Sequence, residues 1–239
     1  MRVLVIVPAY NEARNLPALE VQLRAVAADY DVCVVDDGSS DDTAKVAAEL
    51  GLFVLRCPLN LGIGGAVQTG YLWARERGYD AAVQVDGDGQ HHPEDIAAVL
   101  GPIRRGEASV VIGSRFLSAG GFQSTAVRRA GIRYLCWFLR LRCGARVTDP
   151  TSGFRAADKS AIDLFARSYP SDYPEPEAIA IAIRRGLRIA EVPVHMVDRA
   201  YGVSSITPWR TLYYLVKVSL ALLMLPLRRM HARREPEQA

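Results

Sequence analysis

The segment Asp86-Gly87-Asp88-Gly89-Gln90 places two carboxylates at i and i+2 directly after the apolar run Ala81-Ala82-Val83-Gln84-Val85. Ionised carboxylates are hard oxygen ligands, and a pair presented at the end of a buried strand can hold a divalent cation carrying a diphosphate. Read without its neighbours, the segment is better explained as a solvated Asp/Gly turn. Other polar loops that follow apolar runs favour the first reading. Pro8-Ala9-Tyr10-Asn11-Glu12 ends one such run, with Tyr10 suited to face a base or ribose and Glu12 to accept from a hydroxyl. Asp36-Asp37-Gly38-Ser39-Ser40-Asp41-Asp42-Thr43 ends another. A strand-end carboxylate there accepts strongly from a base N–H or a ribose hydroxyl, whereas the later aspartates suit helix capping.

Three more clusters carry candidate chemistry. In Asp172-Tyr173-Pro174-Glu175-Pro176-Glu177, either glutamate suits a general base for a hydroxyl acceptor, or simply favourable charge at a helix N-terminus. A lipid phosphate acceptor is already anionic and needs cations instead, which Arg128, Arg129 and Arg133 can supply. His91 and His92 follow the carboxylate pair, but adjacent side chains diverge, so at most one reaches a metal there. Asn60-Leu61-Gly62-Ile63-Gly64-Gly65-Ala66 lacks the GxGxxG spacing of a dinucleotide site, which argues against hydride chemistry. Its glycines suit close backbone approach.

These loops need a scaffold, and the alternation of apolar runs with amphipathic stretches specifies one. It predicts an α/β chain with a mostly parallel sheet and helices on both faces. Strands are expected at Val3–Val7, Val32–Val35, Phe53–Leu55, Ala82–Val85, Val110–Ile112 and Ile189–Val194. Helices are expected at Ala13–Ala28, Asp42–Leu50, Gly64–Arg77, Pro93–Arg105, Ala157–Ala166 and Glu177–Arg185. Ser40-Asp41-Asp42 reads as a cap, Gly51 and Gly78 as residues just past helix ends, and Pro93 as a first-turn residue. From Phe116 to Pro150 the pattern loosens, and the basic, aromatic stretch Arg128–Arg142 reads as a binding loop or surface excursion.

With 239 residues, half of them apolar, the chain can bury the core of one large domain. A net charge of +3 from interspersed acids and bases gives no footprint for nucleic acid. Cys33, Cys57, Cys136 and Cys143 form no CxxC pair; Cys33 reads as a small buried hydrophobe, and a reducing cytosol is expected. Met1–Val7 reads as a first strand, not an export signal. Leu212–Leu227 is apolar but as a helix reaches only about 24 Å, short of the roughly 20 residues that cross a bilayer. Its aromatic start and the following Arg228, Arg229, Arg233 and Arg234 suit a helix lying at a membrane surface or docking on a membrane partner, the alternative being a C-terminal helix packed on the domain or in a dimer interface. The expected division is a catalytic domain over 1–207 and an apolar helix with basic tail over 208–239.

The ordered series Pro8–Glu12, Asp36–Thr43, Asn60–Gly70, Asp86–Gln90, Gly113-Ser114-Arg115 and Asp149–Arg155 resembles that of family 2 glycosyltransferases. The branch most resembled is that of the dolichyl-phosphate mannose synthases and bacterial polyprenyl-phosphate glycosyltransferases. The resemblance implies a GT-A fold, a nucleotide-diphosphate-sugar donor, Mg²⁺ or Mn²⁺, and inversion at the anomeric carbon. It implies that Pro8, Tyr10, Glu12 and Asp37 hold the nucleoside. Asp86, Gly87 and Asp88 would handle diphosphate and metal, Gln90 would approach the donor sugar, and Arg115 would neutralise phosphate. Asp198–Ser205 resembles a phosphate clamp in which Arg199 keeps the guanidinium, while Ser205 stands where that branch usually has lysine, leaving the donor sugar open. The implied acceptor lies at the cytoplasmic membrane face and is polyprenyl phosphate or a sugar hydroxyl of a glycan or glycolipid. A non-catalytic nucleotide-sugar binding subunit and a nucleotidyltransferase are the other readings.

Overall fold

The computed structural model describes residues 1–26, 29–117, 126–196 and 208–225, with only the backbone of 126, 127 and 208–212. Seven strands form one sheet: β1 (Val3–Ala9), β2 (Asp31–Asp36), β3 (Phe53–Arg56), β4 (Ala81–Gln84), β5 (Val110–Ser114), β6 (Arg155–Asp158) and β7 (Ile189–Pro193). Their order is β3-β2-β1-β4-β6-β5-β7, and every pairing is parallel except those of β6 with β4 and β5. The helices are α1 (Leu16–Val26), α2 (Thr43–Glu49), α3 (Gly62–Glu76), α4 (Ile96–Arg104), α5 (Ala126–Cys143), α6 (Lys159–Arg167), α7 (Pro174–Arg184) and α8 (Pro208–Met224).

The central strand β1, Val-Leu-Val-Ile-Val-Pro-Ala, is buried at every position because helices cover both faces of the sheet. Val3, Val5 and Val7 pack with Leu16, Leu19 and Leu23 of α1 and Val99 and Leu100 of α4. Leu4 and Ile6 point the other way, into a cluster with Val67, Tyr71 and Ala74 of α3 and Phe165 of α6. A third cluster joins Ile112 of β5 to α5, α7 and α8 through Leu135, Leu139, Ile179, Val218 and Leu222. Cys33 lies fully buried on β2, where burial pushes its thiol up to about 12.

Two expectations are corrected. The helix predicted at Ala157–Ala166 begins at Lys159, and the residues before it form β6, inserted antiparallel between β4 and β5. Ala156 and Ala157 are fully buried there, and the side chain of Asp158 caps α6 by accepting from the Ala161 N–H at 2.8 Å. The presumed loop around Arg128–Arg142 is most of α5, whose Ile132, Leu135, Phe138 and Leu139 recur at helical spacing on the buried side. Among the described residues, no helix is long and apolar enough to cross a membrane.

Candidate active site

From β1 the chain builds outward through β2 and β3, then returns to the far side of β1 with β4. In an open α/β sheet, a crevice forms beyond the carboxyl ends of the strands at such a reversal. Here it lies between Ala9 and Asp86. The loops around it are tied together. Asn11 adopts a left-handed conformation with φ 57°, and its Oδ1 accepts from the Ser40 and Asp41 N–H groups at 2.9 and 3.3 Å. The Glu12 N–H donates to Thr43 Oγ1 at 2.9 Å, and the Glu12 carboxylate accepts from the Asn15 amide. The Asp37 N–H donates to the Ala9 carbonyl at 2.9 Å, and the Gly87 N–H to the Pro8 carbonyl at 3.1 Å.

The result is a cavity of about 370 Å³. Pro8, Tyr10, Glu12, Asp37, Asp86, Gly87 and Asp88 line it, together with the first turns of α3. These are seven of the residues singled out from the sequence. Asp37 is 3% exposed and accepts from the Leu61 N–H at 2.7 Å. Burial pushes its carboxyl above the ordinary range, opposed by the Leu61 and Gly62 N–H groups. Asp88 is buried and accepts from the Gln90 N–H at 3.0 Å, so Gln90 is held against the carboxylate pair.

His91 serves the loop. Its Nδ1 accepts from the Asp86 N–H at 3.0 Å, which puts the ring proton on Nε2, 3.7 Å from the Asp86 carboxylate. The ring is buried and stacked on Phe154 at 5.0 Å, and Gln84 Nε2 donates to the other Asp86 oxygen at 2.9 Å. His91 therefore orients Asp86, which replaces the metal-ligand role weighed for it. Among the described residues, no group of three or more His, Cys, Asp or Glu side chains could hold a metal by itself. A cation on the Asp86/Asp88 pair would draw its remaining ligands from a bound diphosphate and water.

The segment Asp149–Arg155 packs against Asp86 and His91 through Gly153 and Phe154. A side chain at Gly153 would put its Cβ 2.9 Å from Asp86 Oδ2, so a larger residue there would have to displace the Asp86 carboxylate. Arg115 is 5% exposed and forms a two-pronged pair with fully buried Asp149, Nε to Oδ2 at 2.6 Å and Nη2 to Oδ1 at 2.7 Å. The phosphate-neutralising residue expected from sequence is thus paired with a protein carboxylate. Arg155, also buried, donates to the carbonyls of Ser152, Pro150 and Glu175 at 2.7, 3.0 and 2.8 Å. Neither Asp149 nor Arg155 received a role from the sequence, although unlike charges flanking Pro-Thr-Ser-Gly-Phe were a usable signal.

Glu175 and Glu177 lie in the first turn of α7, Glu177 buried and Glu175 half-buried. Burial raises the Glu175 carboxyl above its ordinary value, Arg155 opposes this, and Asp86 across the site adds to it. The folded value exceeds the unfolded one, so this group favours the fold most below its unfolded pKa and loses that contribution as pH rises through the folded value. Glu175→Gln is expected to melt a few degrees above the parent at neutral pH in the presence of chelator, with the gap closing below about pH 4. Thermal melts across that range check it.

A family model for glycosyl transferase family 2 matches residues 4–164. The chain belongs to that family. Over 216 residues it is 37% identical to an undecaprenyl-phosphate mannosyltransferase of Micrococcus luteus, covering 87% of this chain and 88% of that one. It is 34% identical over 220 residues to a UDP-N-acetylglucosamine–dolichyl-phosphate N-acetylglucosaminyltransferase of Methanococcus voltae, covering 83% and 87%. Its fold is shared with glucosyl-3-phosphoglycerate synthase of Mycobacterium tuberculosis, solved with Mn²⁺, UDP and glucosyl-3-phosphoglycerate. That match has a TM-score of 0.70 and 23% identity, covering 94% of this chain and 79% of the other. The GT-A architecture of this family 2 protein thus accounts for the crevice, while Arg199 and Ser205 lie outside the described residues.

Proposed function

We propose that the protein is an inverting, metal-dependent glycosyltransferase that moves a sugar from a nucleotide diphosphate to polyprenyl phosphate at a membrane surface. The observation that carries this reading is the convergence of Asp37, Asp86 and Asp88 on one cavity at the sheet's reversal point. Asp37 and the main chain of Pro8–Tyr10 would seat the nucleoside. Asp86, held by Gln84 and His91, and Asp88 would hold Mg²⁺ or Mn²⁺, which when bound offsets the charge growing on the departing diphosphate. Gln90 would approach the donor sugar, and Arg199 would add a cation to the phosphates.

Transfer forms a bond from an acceptor oxygen to the anomeric carbon on the face opposite the diphosphate, and the anomeric bond to the diphosphate breaks. A phosphate acceptor arrives ionised and needs no base. Half-buried Arg128, at the start of α5, supports such an acceptor: burial and the nearby Arg115 charge both disfavour its protonated form. A bound anion relieves that repulsion. In this reading residues 1–207 carry catalysis and 208–239 assist docking at the cytoplasmic face.

A second reading is favoured by Glu175. A carboxyl raised by burial and close to Asp86 suits a general base for a sugar hydroxyl on a glycan or glycolipid. Incubating the full chain with Mn²⁺, a panel of UDP-, GDP- and dTDP-sugars, and polyprenyl phosphate in detergent decides between them. The expected product is a polyprenyl-phosphate sugar with inverted anomeric configuration by NMR. Glycosylation of sugar hydroxyls only, abolished in Glu175→Gln, would establish the second reading in its place.

A further inference from the structure

We propose that Tyr169 and Glu175 form the subsite that reads a hydroxyl of the sugar being transferred, the tyrosine as hydrogen-bond donor and the carboxyl as acceptor. The inference deepens the nucleotide-sugar reading above and rests on it. Tyr169 lies in the connection between α6 and α7. Its ring is held edge-on against Phe165 at 5.3 Å and tilted against Tyr71 at 5.5 Å. It belongs to the same apolar cluster as Ala66 of α3, which lines the cavity proposed for the donor. The next residues sit on the first turn of that helix. A side chain at Gly64 would put its Cβ 2.1 Å from the Pro170 carbonyl oxygen and 2.3 Å from that of Ser171.

Tyr169 is 9% exposed, yet among the described residues its hydroxyl has no hydrogen-bond partner. A hydroxyl buried without a partner is costly and marks a place where a bound group completes the set. Burial pushes this hydroxyl well above the ordinary tyrosine range, so it stays a donor, and the charges that bear on it are those of Arg155, Glu175 and Asp86. The neighbouring cations have other partners. Arg155 donates to the carbonyls of Ser152, Pro150 and Glu175, and Arg115 is paired with Asp149. What this leaves is one neutral donor and the half-buried Glu175 carboxyl, which accepts from its own main-chain N–H.

A sugar hydroxyl both accepts and donates, so it satisfies such a pair at once. A phosphate offers acceptors only and brings its charge toward the Glu175 carboxyl, so the acceptor phosphate is a poor occupant. Asp86 points to the donor side. It lines the cavity, and its charge bears on both Tyr169 and Glu175, so the hydroxyl met here belongs to the sugar next to the diphosphate.

The test is titration calorimetry of the full chain with Mn²⁺ and no acceptor, for the parent, Tyr169→Phe and Glu175→Ala. The probes are UDP, UDP-glucose, UDP-N-acetylglucosamine, GDP, GDP-mannose, dTDP and dTDP-glucose. Each variant is expected to weaken the sugar nucleotide that the parent binds by about ten-fold, with the matching bare nucleotide unchanged. Among single-deoxy forms of that sugar nucleotide, one should bind the parent about ten-fold more weakly than the full sugar does, and bind Tyr169→Phe no more weakly than the full sugar does. Without ligand, Tyr169→Phe should melt at or above the parent, whereas a hydroxyl bonded only within the fold would make it melt below. A Tyr169→Phe protein that keeps the parent's ratio of sugar-nucleotide to bare-nucleotide affinity overturns the proposal. So does an effect that appears only once polyprenyl phosphate or a sugar acceptor is added, which would assign the pair to the acceptor. Failure of the nucleotide-sugar reading would appear differently, as a parent that binds none of these sugar nucleotides, and the proposal would fall with it.

Discussion

Asp88→Ala is expected to lower sugar transfer by about a thousand-fold while shifting the melting temperature by no more than a few degrees. The rate effect follows from where charge develops. As the anomeric bond to the diphosphate breaks, negative charge grows on the leaving oxygen, and removing one preorganised group that offsets it costs about 10²–10³ in rate. Asp88 is one of only two carboxylates in the Asp86–Gln90 loop, so in the proposed reaction its loss would reach the cation as well as the diphosphate. The small stability effect follows from its neighbours. Asp88 lines the cavity and belongs to none of the apolar clusters of the core, so truncation removes the hydrogen bond from the Gln90 N–H without opening a void in the packed interior. Asp88→Asn separates shape from charge, because an amide oxygen can still accept from Gln90. Initial rates with Mn²⁺ and saturating donor, alongside melting curves, provide the check. The asparagine variant is expected to fall nearly as far as alanine, and a rate within ten-fold of the parent would remove Asp88 as the charged ligand.

The parts of this protein that were legible in the sequence share a physical cause. Strands β1, β2 and β4 are buried over most of their length, so they read as nearly continuous apolar runs, and the polar residue that ends each run marks the crevice. Asp37, Asp86 and Asp88 could be picked out because several polar loops that follow apolar runs recur along the chain, where any one alone reads as a turn or a cap. Strand β6 was hidden for the opposite reason. Its four residues are Arg-Ala-Ala-Asp, with no branched or aromatic side chain, and its place between β4 and β5 depends on pairings with distant strands. Helix α5 was obscured because its outer stripe mixes tryptophan, tyrosine and leucine with arginine, blurring the usual contrast between an apolar and a polar face. The partner of Arg115 could not be read at all. Asp149 lies 34 positions away, and only the fold brings the two together.

That pair carries the second large effect. Asp149→Ala is expected to destabilise the protein by about 3–5 kcal/mol, the usual cost of leaving one member of a buried ion pair without its partner. For a chain of this size that corresponds to a fall in Tm of roughly ten degrees or more. The carboxylate accepts from Arg115 Nε, Nη2 and main-chain N–H and from Thr151 Oγ1, so truncation leaves several buried donors unmet. Arg115→Ala is expected to cost a similar amount, because it strands a fully buried carboxylate. The double variant Arg115→Met/Asp149→Leu removes both charges and should recover more than half of either single loss, since apolar replacement of a buried pair is often close to neutral. Its activity then separates two roles for Arg115. If the guanidinium only braces the segment Asp149–Arg155, the double variant regains transfer along with stability. If Arg115 also bears on phosphate, the double variant folds, binds donor weakly and transfers at least a hundred-fold more slowly than the parent. Melting curves for all four proteins, read as a double-mutant cycle, together with donor KM and kcat for the double variant, distinguish the two outcomes.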